Sequence, residues 1–197
     1  MSDNNTKITK KSFKEDPYSS FTVGSLFILA ILFLFFFFGW SYIYNTEYGV
    51  EIGINGWNYI CLGFSHAFKS TNTGLFGNVD SFYYYVKGLV VAETIITFIA
   101  FWLVVALSVI AGFNVRKANR KLVLIAGIAS VVLAIVFLGC FVVALSMTPK
   151  MVSGYCGGNK KCSVHSLALL SFFVALGNAI VNFALLHKMN EDTEESK

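Results

Sequence analysis

The chain has 197 residues, enough for one domain, and 56% of them are hydrophobic while only 13% are charged. Soluble domains carry roughly a quarter charged residues, so this composition excludes an ordinary water-soluble domain and predicts a membrane protein. The net charge of +4 comes without a basic run interleaved with aromatic residues, so we expect no nucleic-acid partner.

Four apolar stretches are long enough to cross the hydrocarbon core of a bilayer, which takes a helix of about 20 residues. The predicted spans are residues 21–44, 89–113, 122–145 and 166–186. The first stretch is too long for a signal peptide, and no small-residue cleavage site follows it. The predicted fold is an all-α membrane protein, a four-helix transmembrane bundle that carries a small extracellular β-hairpin or sheet.

The polar segments between the spans set the predicted orientation. They are a disordered tail at 1–20, outer loops at 45–88 and 146–165, an inner loop at 114–121 and an acidic tail at 189–197. Ten Lys or Arg residues lie in the two tails and the inner loop, counting Lys188 just after the last span, against five in the outer loops. The positive-inside rule therefore predicts that both termini of the four-transmembrane domain 21–188 are cytoplasmic.

The first outer loop contains Asn55-Gly56, a dipeptide that favours a tight type I′ turn. A two-residue turn here would pair residues 50–54 with residues 57–61 and would place mostly apolar side chains on one face. We expect a β-hairpin on the outer membrane surface, with an irregular loop as the alternative.

The second outer loop contains Cys156 and Cys162, separated by five residues with a Gly-Gly-Asn turn between them. This spacing suits a small disulfide-closed loop in an oxidising compartment. Cys61 lies on the same side, so two free thiols, or a bond to Cys61, remain open. Neither His66 nor His165 supplies the spacing of a zinc site, and we expect no metal.

The end of the first span and the first outer loop carry a short motif. It consists of Trp40 and then Gly56-Trp57 followed by Cys61, and sixteen residues separate the two tryptophans. With four spans and a larger first outer loop, this resembles the claudin-like superfamily, which includes claudins and fungal cortical-patch proteins. The leucine and the second cysteine of that family's signature are absent. The resemblance implies a four-span bundle with a β element outside the membrane.

Glu93 is the one acidic residue within a predicted span. A carboxylate in hydrocarbon is costly and is by default a candidate for function, such as a proton or cation pathway. Lys87 lies six residues earlier, about 9 Å along a helix, so Glu93 is predicted near the outer interface. We expect a structural role, with Glu93 protonated or paired with Lys87 or His165.

The fourth span contains Ser171, Ala175 and Ala179 at four-residue spacing, with Asn178 and Asn182 one turn apart. Small residues let helices approach closely, and amides in the membrane hydrogen-bond between helices. We therefore expect this face to pack in the bundle, against a groove at Ala126 and Ser130, in preference to binding a ligand.

The sequence contains no Cys-x-x-Cys pair, phosphate-binding glycine loop or histidine-rich cluster, so we expect no enzyme and no cofactor. We expect a multi-pass protein, with the plasma membrane as the default location. It would organise membrane or cell-contact assemblies through lateral and outer-loop contacts, as a homo-oligomer or with other membrane proteins. A small channel or transporter subunit that uses Glu93 is the alternative, and a membrane thiol oxidoreductase is a remote one.

Overall fold

The computed structural model describes residues 18–37, 39–45, 50–57, 60, 79–155 and 162–194. Within these residues the helices are α1 (Ser19–Phe35), α2 (Val79–Arg116), α3 (Arg120–Tyr155) and α4 (Ala168–Glu194). Segments of the last three are long and apolar enough to cross a membrane, at Val91–Arg116, Arg120–Ser146 and Ala168–Glu194. The chain is therefore a helical membrane protein.

The four helices alternate in direction. Residues 117–119 join α2 to α3, and at the same end of the bundle Tyr18 donates a hydrogen bond from its hydroxyl to Asp192 near the end of α4. Each helix packs against its neighbour in the chain, and α1 also packs against α4, which closes the ring. We call the end with residues 117–119 the turn end.

The opposite end, which we call the sheet end, carries three strands. These are β1 (Gly39–Asn45), β2 (Val50–Asn55) and β3 (Cys162–Ser166), in the antiparallel order β2-β1-β3. The central strand β1 follows α1 directly, and β3 leads into α4. Strands from both predicted outer loops therefore join one small sheet.

The hairpin predicted about Asn55-Gly56 is not confirmed. Val50–Asn55 pairs with the preceding segment, with Asn45 opposite Val50 and Ile43 opposite Ile52, and Gly56 and Trp57 are helical. The reason lies in residues 39–45, which contain three aromatic residues and one isoleucine, residue types that favour a strand. The hydropathy of this partner strand places it in the predicted first span. Val50–Asn55 therefore pairs with the segment before it, and no turn forms at Asn55-Gly56.

The lengths of the helices also differ from the lengths of the predicted spans. Helix α1 has 17 residues and ends at Phe35, before the predicted end of the span at Tyr44, because the chain turns into β1. The other helices are longer than their spans, since α2 begins at Val79, α3 continues to Tyr155 and α4 runs through the acidic tail to Glu194. Hydropathy detects the apolar part of a helix but not its polar extensions.

The bundle is apolar both inside and outside. Fully enclosed side chains such as Leu32, Val104 and Phe137 fill its centre. Its outer surface also carries large apolar groups, including Phe27 at 67% exposure and Ile180 at 68%. A helix that is apolar on all sides is typical of a lipid-surrounded bundle.

Candidate functional site

A network of amide and hydroxyl groups lies inside the bundle and joins three helices. Asn178 of α4 is central: its Oδ1 accepts a 2.7 Å hydrogen bond from the Ser25 hydroxyl of α1, and its Nδ2 donates a 2.8 Å bond to Ser130 Oγ of α3. Asn182, one turn later, donates to Ser25 Oγ at 3.3 Å and to the Asn178 carbonyl at 2.8 Å. Asn178 and Ser130 are fully buried.

The network lies at mid-membrane depth. Ser130 is ten residues beyond the start of α3 at Arg120, about 15 Å along the helix and half of a ~30 Å hydrocarbon core. The Ser130 hydroxyl donates onward to the Ala126 carbonyl at 2.7 Å, so it both donates and accepts. In lipid no water competes for such groups, and their hydrogen bonds hold the helices in one register.

The small residues of α4 lie beside this network. Ser171, Ala175 and Ala179 are all buried, with exposures of 0%, 0% and 3%. The two residues of α3 named as a facing groove, Ala126 and Ser130, are buried as well. At Gly127 the backbone of α3 lies close to a side chain of α4, because an added Cβ would lie 3.0 Å from the Phe183 ring. The structure thus buries this face, and the Asn178–Ser130 hydrogen bond joins α4 to α3 beside it.

A second polar cluster lies between α2 and α3, nearer the sheet end. Glu93 and Thr97 are fully buried on α2, with Thr94 at 3% exposure. The Thr97 hydroxyl lies 4.0 Å from Cys140 Sγ of α3, and Cys140 is itself fully buried. Cys140 is twenty residues beyond Arg120, about 30 Å along the helix, so the cluster lies near one membrane boundary.

The side chains of Lys87 and His165, the predicted partners of Glu93, fall outside the described part of the chain. The threonines and Cys140 were not singled out from the sequence. The sequence feature that indicates this cluster is the spacing of Glu93 and Thr97, which lie one helical turn apart on the same face of α2.

Gly56 and Trp57, from the outer-loop signature, lie where α1 ends. The Trp57 N–H donates a 2.9 Å hydrogen bond to the Phe36 carbonyl, one of the groups that the end of a helix leaves without a helical partner. The indole ring stacks on Phe37, with ring centres 5.9 Å apart, and lies 5.8 Å from the Phe101 ring of α2. Gly56 is buried beneath it. This junction caps α1 and fastens the following segment to α2.

The other signature residues, Trp40 and Cys61, and the disulfide candidates, Cys156 and Cys162, are only partly described. Trp40 is in β1 and Cys162 begins β3, whereas Cys61 and Cys156 fall outside the described residues. The described cysteine side chain, Cys140, is a free thiol, so no described bond supports the predicted disulfide. Over the same residues, no three His, Cys, Asp or Glu side chains come together as a metal site would require.

The arrangement of these groups suits helix packing. The amide network satisfies its members with one another, the Glu93 cluster is enclosed between two helices, and the Trp57 junction joins a loop to the bundle. Comparisons with protein-family models, with curated proteins and with solved structures find no match to this chain.

Proposed function

We propose that this protein is a non-enzymatic organiser of membrane or cell-contact assemblies, that it crosses the bilayer four times, and that both of its termini are cytoplasmic. It would act through lateral contacts of the bundle and through the sheet at its outer end. The claudin-like arrangement of the first outer loop and the plasma membrane location belong to the same proposal.

The crossing by α1 is supported by the Trp57 junction. Seventeen residues of helix rise about 25 Å, at the short limit for a spanning helix. Trp57 lies against the end of α1, and Ile60 belongs to the buried core at 9% exposure. Non-helical backbone is tolerated at membrane depth where protein surrounds it, so this segment completes the span.

The orientation is supported by charge. The turn end carries Arg116, Lys117, Arg120 and Lys121, together with the start of α1 and the end of α4. Clusters of Lys and Arg next to spans favour the cytoplasmic side. The sheet then faces the outside.

The observation that carries the proposed role is the pairing of β1 with strands from both outer loops. It gathers the two loops into one surface, whose described edges are β2 and β3. The edges of strands are surfaces to which another chain can add. Below the sheet, the lipid-facing surface of α2 presents Ile95, Ile99 and Trp102, all more than 45% exposed, for contacts between neighbouring bundles.

Photo-crosslinking in native membranes tests this role. We expect a photoreactive residue at Glu51 in β2, or at Ile99 on the surface of α2, to give adducts heavier than the chain alone. A probe at Val104 is the matched control, because this side chain is 0% exposed and should react only within the bundle. A chain that remains solitary with probes at both Glu51 and Ile99 would contradict the proposal.

A second candidate, a channel or transporter subunit, is favoured by the burial of Glu93 among Thr94, Thr97 and Cys140 in the membrane. Because the cluster is enclosed between α2 and α3, we expect reconstituted vesicles to show no cation or proton flux above that of protein-free vesicles. The Glu93→Gln variant should behave identically. Flux in the original chain that Glu93→Gln abolishes would replace the organiser with a conducting role.

A further inference from the structure

The turn end carries a concentration of positive charge that the helix packing does not use. Arg116, Lys117, Arg120 and Lys121 fall within six residues of one another and are exposed. None of them forms an ion pair with any residue for which the structure gives a position; the ion pair seen at this end joins His187 to Glu191 within α4. Clustered cations without carboxylate partners can attract an anion.

An open pocket of about 520 Å³ lies at this turn. It is lined by Phe113, Lys117, Ala118, Asn119, Arg120 and Leu122. Two of the four cations thus face the same space as three apolar side chains. Phe113 is 61% exposed and belongs to the last turn of the apolar segment Val91–Arg116, so the apolar wall lies at the membrane boundary.

The backbone of the pocket is held in place by two asparagines. The Asn119 N–H donates to Asn114 Oδ1 at 3.2 Å, and Asn114 is only 3% exposed. Asn119 Oδ1 in turn accepts from the Lys121 N–H at 3.0 Å, which caps the first turn of α3. The positive end of the α3 dipole therefore adds to the charge of the side chains.

We propose that this pocket binds the phosphate-bearing headgroup of an anionic phospholipid. Lys117 and Arg120 would contact the phosphate, and the acyl chains would lie along Phe113 and Leu122. Arginine matches the geometry of phosphate oxygens with two parallel hydrogen bonds. Basic pockets between spans on the cytoplasmic side suit such headgroups, and the apolar wall favours a lipid over a free anion.

Lipid titration of the purified full-length chain in detergent, followed by native mass spectrometry, tests the site. We expect phosphatidylserine to bind more tightly than phosphatidylcholine. The double variant Lys117→Gln/Arg120→Gln should bind phosphatidylserine about tenfold more weakly than the variant Arg116→Gln/Lys121→Gln. Both variants lose the same charge from the same turn, but only the first alters the lining of the pocket.

Equal losses in the two double variants would reduce the effect to general surface charge and overturn the pocket. Displacement of the lipid by millimolar inorganic phosphate would overturn the lipid assignment in favour of a free-anion site. If the pocket variant does not fold by circular dichroism, the single variants Lys117→Gln and Lys121→Gln replace the pair, and the same order of affinities is expected.

Discussion

Replacing Phe36 with alanine should lower the free energy of unfolding by about 3 kcal/mol, the low end for deletion of a fully buried aromatic ring. The ring is 0% exposed, and its centre lies 5.5 Å from that of Phe101 and 6.2 Å from that of Phe137. It therefore packs α1 against α2 and α3 at once. Titration of micelles with a denaturing detergent, followed by far-ultraviolet circular dichroism, measures the loss.

Phe27→Ala is the matched control for this prediction. It removes the same kind of ring from α1 itself, which Phe36 directly follows, but Phe27 is 67% exposed on the outer surface. We expect this variant to unfold within about 1 kcal/mol of the original chain, because little protein contact is lost. Equal destabilisation by the two substitutions would show that α1 does not pack as described.

The second large effect is expected at Asn178. Substitution by leucine keeps much of the volume but removes both interhelical hydrogen bonds, to Ser25 and to Ser130. Hydrogen bonds between membrane helices contribute about 0.6 kcal/mol on average and up to about 1.7 kcal/mol, so we expect a loss of about 2 kcal/mol. The same unfolding titration measures it.

A double-mutant cycle separates the hydrogen bond from packing. Combining Asn178→Leu with Ser130→Ala should cost less than the sum of the two single changes, because both remove the same bond. Ser108→Ala is a suitable comparison, since the Ser108 hydroxyl donates only to the Val104 carbonyl of its own helix. We expect it to change stability by less than about 0.5 kcal/mol. Strict additivity of Asn178→Leu and Ser130→Ala would contradict a direct bond.

The sequence was most informative where a physical requirement is local. Hydropathy over about 20 residues detects helices that lipid can surround, and it located α2, α3 and α4. Asn178 and Asn182 stood out because amides are costly in hydrocarbon. Their partner Ser25 did not, because a single serine in an apolar helix can also bond to its own backbone.

The sheet could not be predicted in this way. Asn45 pairs with Cys162, more than a hundred residues later, and no local pattern encodes that choice. The Asn55-Gly56 signal favoured a nearby partner, while the aromatic residues of β1 were read as helix because lipid-facing helices and strands share the same apolar residues. The sequence does not predict the Trp57 junction, because the contact depends on where α1 ends.

The network around Asn178 has a consequence for how the protein is made. Ser25 and Asn178 are 153 positions apart, so at 5–20 residues per second the first helix waits roughly 8 to 30 s for its hydrogen-bonding partner to leave the ribosome. Until then, one edge of β1 also lacks β3. A nascent chain that stops before α4 therefore presents an open strand and a polar helix surface, both of which cellular quality control can recognise.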